Sequence, residues 1–286
     1  MKIDYINDHD GKHRIDKLDK GLRDLGHSLT NSESGANVII VEHLDGTASD
    51  YTKKNRNIPL ILRLSAMELY KQKLEGFNWK NVDALVVHGQ HLKDYFLERF
   101  KFLPKDRVHV IPLCIDTDKF TLRKGGRNNK VAIVSEVHWR KGAQIIPKVI
   151  ASLKDYEFYH IGKVVNWDAK NYIDWGRLPN YHYQGETGDV NKWLEDKTFL
   201  LHCSGTEGMP RAVGEAMSKG IKPFVYEYRG AKEQWNDTWT AVSGLKNDFG
   251  ETFEKIGQRQ FILDNYSIPV VARKFEDLCK SLMAKK

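Results

Sequence analysis

Twice along this chain, short continuous apolar runs alternate with segments of helical period, and a polar stretch without periodicity separates the two series. Runs this short, bounded by turn residues, read as strands buried on both faces. Strands that alternate with helices pack as parallel sheets with helices on either side. In the first series the runs lie at 2–6, 38–41, 58–64, 82–87 and 108–112, and the chain turns back into a further short strand at 26–29. Ile15, Leu18, Leu22 and Leu25 recur at helical spacing before Gly26, and Leu92, Tyr95, Phe96 and Phe100 mark a helix closed near Pro104. Residues 116–130, with Arg123-Lys124-Gly125-Gly126-Arg127, suit a linker. The second series has strands at 130–135, 158–161, 181–184, 199–203 and 224–228. It has helices through Ile145, Ile146, Val149, Ile150 and Leu153, at 190–194, and at 270–283. The expectation is an α/β protein of two Rossmann-like domains, 1–114 and 115–286, whose parallel sheets face each other across a cleft.

A chain of 286 residues has room for two such cores. Its 41% hydrophobic and 29% charged content is that of a water-soluble chain. No run approaches the roughly 18 apolar residues of a membrane helix, and Met1-Lys2-Ile3-Asp4 leads directly into a strand, so a cytoplasmic location is expected. Cys114, Cys203 and Cys279 are odd in number and widely spaced, which argues for reduced thiols and against disulfides or a zinc site. The net charge of +7 favours an anionic partner: nucleotide phosphates, a membrane surface or nucleic acid.

The densest chemistry lies at 204–220. The apolar run 199–203 ends in Ser204-Gly205, and a helix is expected next, with Pro210 in its first turn and Gly220 as the left-handed residue past its end. The amides of Gly208, Met209, Arg211 and Ala212 would open its N-terminus, where backbone N–H groups and the macrodipole favour an anion such as phosphate. Glu207 and Glu215, eight residues apart, bracket that turn. Carboxylates repel phosphate but accept hydrogen bonds from sugar hydroxyls, so the order hydroxyl, phosphate, hydroxyl describes a nucleotide sugar. A strand, a turn and a capped helix also occur in every α/β domain, and the spacing by itself leaves both readings open. His202 and Cys203 read as core-strand residues, and Asp116-Thr117-Asp118, although of Asp-x-Asp form, as a turn in the connection.

With this order in place, the chain resembles the retaining glycosyltransferases of the two-Rossmann-domain type, GT-B, and family 4 in particular. The matching segments are Leu22 to Thr30 with its Gly26-His27, Val108 to Phe120, Arg140-Lys141-Gly142, Tyr183-Gln184-Gly185, and the Glu-x7-Glu element from Glu207 to Glu215 that runs on to Gly220. The resemblance implies that Glu207 accepts from donor-sugar hydroxyls and Glu215 from the ribose. It implies that the backbone at Gly208, Met209, Pro210, Arg211 and Ala212 holds sugar and diphosphate, that Lys141 neutralises the diphosphate and that Arg140 assists. The loop from Glu186 to Asp189, with Thr187, would line the base, Gly185 and Gly11 would help bind the donor, and His43 would stand near the reacting sugar. It further implies a UDP- or GDP-linked donor, no metal or other cofactor, and a glycan, lipid-linked glycan or protein as acceptor, with weak contact to a membrane surface. The final helix would cross back to the first domain.

The chain departs from the family at Glu136 and Ser135, where an arginine is frequent, at Leu113-Cys114 in place of Asn-Gly, at Ser65, and in the short first domain. These departures motivate an alternative, a nucleotide-sugar-binding module with weak catalysis. The basic balance, with Trp139, Arg140 and the linker cluster, motivates another, transfer to nucleic acid, although no sequence-reading motif for DNA is present.

Overall fold

A computed structural model describes residues 1–6, 16–43, 45–71, 74, 76–165, 175–235, 240–241 and 255–286. Gly11, the turn expected after the first strand, and Ile15 lie outside the described residues. The elements run in the order β1 (Lys2–Ile6), α1 (Leu18–Asp24), β2 (Ser28–Thr30), β3 (Val38–Glu42), α2 (Gly46–Lys53), β4 (Leu60–Arg63), α3 (Ala66–Tyr70), β5 (Ala84–Val87), α4 (Gln90–Arg99) and β6 (Val108–Val110). They continue with β7 (Lys130–Val134), α5 (Ile146–Ser152), β8 (Glu157–Ile161), β9 (Tyr181–Tyr183), α6 (Val190–Trp193), β10 (Phe199–His202), α7 (Arg211–Ser218), β11 (Lys222–Val225), α8 (Ala231–Trp235), β12 (Thr240–Ala241), α9 (Lys255–Tyr266) and α10 (Ile268–Met283).

Two compact units result, Met1–Ile115 with Asn265–Lys286, and Asp116–Asp264. Each holds one parallel sheet, ordered β2-β1-β3-β4-β5-β6 in the first and β12-β11-β10-β7-β8-β9 in the second. In the first unit successive strand residues feed opposite cores, as the two-residue repeat of a pleated strand requires. Ile39, Val41, Leu60, Leu62, Leu85 and Val87 pack with Trp79 and Phe96 on one face. Val38, Ile40, Ile61 and Val86 pack on the other with Leu18 and Leu22 of α1 and Phe275 and Cys279 of α10. Burial on both faces is why these strands read as unbroken apolar runs. The three cysteines are buried and free.

Several elements differ from the sequence reading. Periodicity does not predict the short helices α2, α3 and α8, nor the longer α9. Of the eight residues of α2 only Ala48 and Thr52 are buried, too few to print a stripe. Signals were nonetheless present: Asp45 caps α2 by accepting from the Ala48 N–H, and Ser65 with Glu68 forms a capping box on α3. The strand expected at 224–228 is β11, two residues earlier, because Tyr226 and Tyr228 leave the sheet through a tight turn in which the Tyr228 N–H donates to the Tyr226 carbonyl at 2.8 Å. Pro210 is the N-cap of α7 instead of lying within its first turn. Gly220 does have a left-handed conformation, with φ of 70°.

The first unit also holds a buried charge network. The Arg63 guanidinium, at the end of β4 and with a fully buried side chain, donates to both Asp16 oxygens at 3.0 and 2.6 Å and to Glu42 at 2.6 Å. The Tyr5 hydroxyl also donates to Glu42, and the Cys114 N–H donates to Asp16 at 2.8 Å. Burial works against ionisation of Asp16, but the Arg63 charge and the hydrogen bonds from Arg63 and Cys114 outweigh it and hold the carboxyl below its ordinary range.

Candidate functional site

In the second unit the chain lays down β7, β8 and β9 in one direction and β10, β11 and β12 in the other, so the sheet reverses between β7 and β10. The loops leaving these two strands meet at their carboxyl ends, where the Gly205 N–H donates to the Arg140 carbonyl at 3.4 Å, and the carboxyl ends at such a reversal are the usual ligand position in sheets of this order. Lys141 follows β7 and Glu207 follows β10.

Lys141 sits on the 3-10 turn Trp139–Lys141, whose N-cap His138 accepts from the Arg140 N–H. Gly142 closes the turn with φ of 85°, and a Cβ there would lie 2.3 Å from the Cys203 carbonyl oxygen at the end of β10. Only glycine therefore lets the two loops approach closely enough for the Lys141 ammonium to reach Glu207, 2.5 Å away. Gly142→Ala is expected to destabilise the protein by about 1–3 kcal/mol from the backbone conformation alone. Chemical denaturation of the variant checks this.

Glu207 also lies 3.6 Å from the His202 ring. Its burial raises the carboxyl pKa, but His202, Lys141 and the hydrogen bond from Lys141 outweigh that and bring it below its ordinary value. Burial, opposed by Glu207 and reinforced by Lys141, lowers His202 to about 4. At neutral pH the Glu207 carboxyl is thus ionised and the His202 imidazole neutral.

Helix α7 begins immediately beyond. No side chain caps its N-terminus and no acid occupies its first turn. Its other end is anchored: Arg259 donates to the Ser218 carbonyl at 2.7 Å, and the buried Lys219 ammonium is held by Asn191 and Glu195, each at 2.8 Å. The positive end of the helix is therefore the one not compensated by a carboxylate in its first turn. Within α7 the Arg211 guanidinium pairs with Glu215 at 3.0 Å.

The loop between Glu207 and α7 is set from behind. Gln234 of α8 donates its amide N–H to the Gly208 carbonyl, while its own carbonyl accepts from the Tyr228 hydroxyl at 2.6 Å. The Trp235 indole donates to the same hydroxyl at 2.8 Å. In a trans peptide the N–H points opposite to the carbonyl, so fixing the Gly208 carbonyl on the α8 side turns the Met209 N–H the other way. Gln234 and Tyr228 escape a sequence reading because neither lies in a motif; their partner is Gly208, which is 26 residues from Gln234.

At the ends of β7, β8 and β9 a groove of about 300 Å³ is lined by Ser135, Glu136, Gly162, Lys163, Glu186 and Thr187, among others. Gly185, with φ of 72°, accepts from the Gly162 N–H at 2.8 Å. The structure thus brings Glu186 and Thr187 to one groove, with Gly185 bonded to its Gly162 wall, beside the strand that leads to Arg140 and Lys141. His43 belongs to the first unit. It follows β3 with φ of 73°, an uncommon value for a residue with a side chain, and its ring lies 3.5 Å from Glu68, the residue that also caps Ser65. His202, read from sequence as a core-strand residue, is buried as expected but also faces Glu207. Among the described residues no group of three or more His, Cys, Asp or Glu side chains is placed to hold a metal ion.

Three imidazoles are buried and held low: His88 to about 3, by burial and the Arg63 charge, and His160 and His202 to about 4, mainly by burial. Unfolding returns each to its ordinary value near 6.5, so below that pH the unfolded chain binds protons that the folded chain refuses. Stability should therefore fall as pH is lowered from about 7, by on the order of 2 kcal/mol for each imidazole by about pH 5. Denaturation midpoints measured across that window check the sign; midpoints constant from about pH 7 to 5 would contradict it.

No protein-family model matches the chain, and no curated protein matches it in sequence. Solved structures do match in fold. A glycosyltransferase from Rickettsia africae superposes with a TM-score of 0.76 at 13% identity, over 100% of this chain and 99% of its own. HepE from Anabaena, in complex with UDP and glucose, gives 0.75 at 12% identity over 99% and 100%. The lipopolysaccharide outer core galactosyltransferase WaaB, in its apo form, gives 0.72 at 12% identity over 98% and 99%. The α/β fold with two parallel sheets is the GT-B fold of these glycosyltransferases.

Proposed function

We propose that this GT-B protein is a glycosyltransferase that moves a sugar from a nucleotide-diphosphate sugar, linked to UDP or GDP, to a glycan hydroxyl with retention of configuration, as in family 4. The observation that carries the reading is the meeting of Lys141 and Glu207 across the sheet reversal, in front of the N-terminus of α7. An ammonium has three N–H donors, so Lys141 can keep Glu207 and still contact a phosphate oxygen. In this reading Glu207 accepts from sugar hydroxyls, and the backbone from Gly208 to Ala212 holds sugar and diphosphate. Glu215 accepts from the ribose, exchanging its bond from Arg211, and the groove by Glu186 and Thr187 takes the base. A neighbour that holds UDP and glucose supports uridine as the base, and one named for an outer core galactosyl transfer supports a glycan acceptor. His43, steadied by Glu68, serves near the reacting sugar.

The reaction breaks the bond between the anomeric carbon and the diphosphate oxygen. The acceptor oxygen bonds to that carbon on the same face, and its proton passes to the departing phosphate. Negative charge grows on the diphosphate as the bond breaks, and fixed positive charge from Lys141, Arg140 and the helix terminus stabilises it most at that point. The test is consumption of α-linked UDP- and GDP-sugars by the full chain with glycan acceptors, with the anomeric configuration of the product read by NMR. An α-linked product is expected. A β-linked product contradicts retention, and donor binding without consumption across acceptors favours the binding module.

A further inference from the structure

A second concave site lies in the first unit, between α4, β6 and α10. It is a groove of about 550 Å³ whose walls include Lys93, His109, Val110, Lys274, Asp277 and Ser281, a size within the range of roughly 300–1,000 Å³ typical of small-ligand pockets. β6 is the edge strand of its sheet, so this side is covered by side chains instead of another strand. Other lysines of α10 and its tail find carboxylates: Lys280 pairs with Glu276 at 3.0 Å, and Lys286 with Asp83 at 3.1 Å. Among the described residues Lys93, Lys274 and the nearby Lys285 have no carboxylate partner. Lys93 and Lys274 both line the groove, and the Lys285 charge acts on its His109. His109 is held below its ordinary value first by burial and then by Lys93 and Lys285, against the weaker opposing pull of Asp106. Burial likewise lowers Lys274.

Ammonium groups converging from two helices suit an anion that spreads charge over several oxygens in different directions, which a phosphate does better than a planar carboxylate. The one acid on the wall, Asp277, repels phosphate but accepts from a hydroxyl next to it. We infer that this groove binds a phosphorylated polyol, free or as a lipid headgroup, through Lys93 and Lys274, with Asp277 accepting from a polyol hydroxyl. The site lies wholly within the first unit and is separate from the Lys141–Glu207 cluster of the second.

The full chain is titrated with sn-glycerol 3-phosphate in a calorimeter, and floated with vesicles of phosphatidylglycerol in phosphatidylcholine against phosphatidylcholine alone. Wild-type protein is expected to bind at least one probe. Saturation by the free ester identifies a soluble ligand; flotation alone identifies the headgroup. The double variant Lys93→Glu, Lys274→Glu should weaken binding at least ~10-fold, and Lys93→Arg, Lys274→Arg should keep it within about threefold. Should the double reversal fail to fold, Lys274→Gln alone must still weaken binding measurably. Absence of binding to both probes, equal binding by wild type and the reversal, or binding abolished by Lys141→Ala and untouched by the reversal, each overturns the inference.

Discussion

Arg63→Met is expected to destabilise the first unit by about 3–5 kcal/mol, the usual cost of removing one partner from a buried ion pair. The substitution keeps volume but strands two carboxylates, Asp16 and Glu42, whose side chains are each only 1% exposed. They must then take up protons or stay charged without a partner. Asp16 also receives the Cys114 N–H at the start of the connection to the second unit, so the damage reaches the backbone at the end of that unit. Chemical denaturation followed by first-unit tryptophan fluorescence measures the loss, with Trp79 as the reporter and second-unit tryptophans replaced by phenylalanine. The deficit relative to wild type should shrink at mildly acid pH, where the stranded carboxylates protonate. Wild-type stability in Arg63→Met would show that the network contributes nothing net.

Lys141→Ala is expected to lower kcat/KM for the cognate donor by roughly 10²–10³, the scale seen when one fixed donor to a developing anion is removed. Part of this is ground-state binding of the diphosphate, so KM should rise as well as kcat fall. Glu207 complicates a simple reading, because its side chain is only 12% exposed and loses its ammonium partner. Adding Lys141→Ala to Glu207→Gln separates the two effects: with no carboxylate left to strand, the second change should cost little stability yet lower turnover further, below that of Glu207→Gln alone. Turnover equal to that of Glu207→Gln alone would reassign Lys141 to a structural role.

Much of this architecture is legible in the sequence, for reasons that differ by element. Val38 to Val41 and Leu85 to Val87 are apolar at every position because both faces of the sheet are covered, and such runs are visible without knowledge of their neighbours. The Lys141–Glu207 pair was approachable because each residue lies in a motif at a strand end. Their mutual bond was not, since it depends on Gly142 meeting Cys203, 61 positions away. Tyr5, Asp16, Glu42 and Arg63 each look ordinary alone at the mouth of a strand or helix. They become a network only when β1, β3 and β4 are laid side by side. Short helices such as α3 leave too few turns for periodicity, and only their caps announce them. Gln234 acts through a backbone carbonyl, which carries no sequence signature at all.

The central claim, that the second unit holds a nucleotide-sugar donor at Lys141 and Glu207, is tested most directly by melting the protein alone and with UDP-, GDP-, ADP- and TDP-sugars. A bound donor stabilises the folded state by mass action, by about 2.7 kcal/mol at a hundredfold excess over its dissociation constant. The account predicts a rise in Tm with a UDP- or GDP-sugar that disappears in Lys141→Ala. No shift with any donor, or an equal shift in wild type and Lys141→Ala, would contradict it.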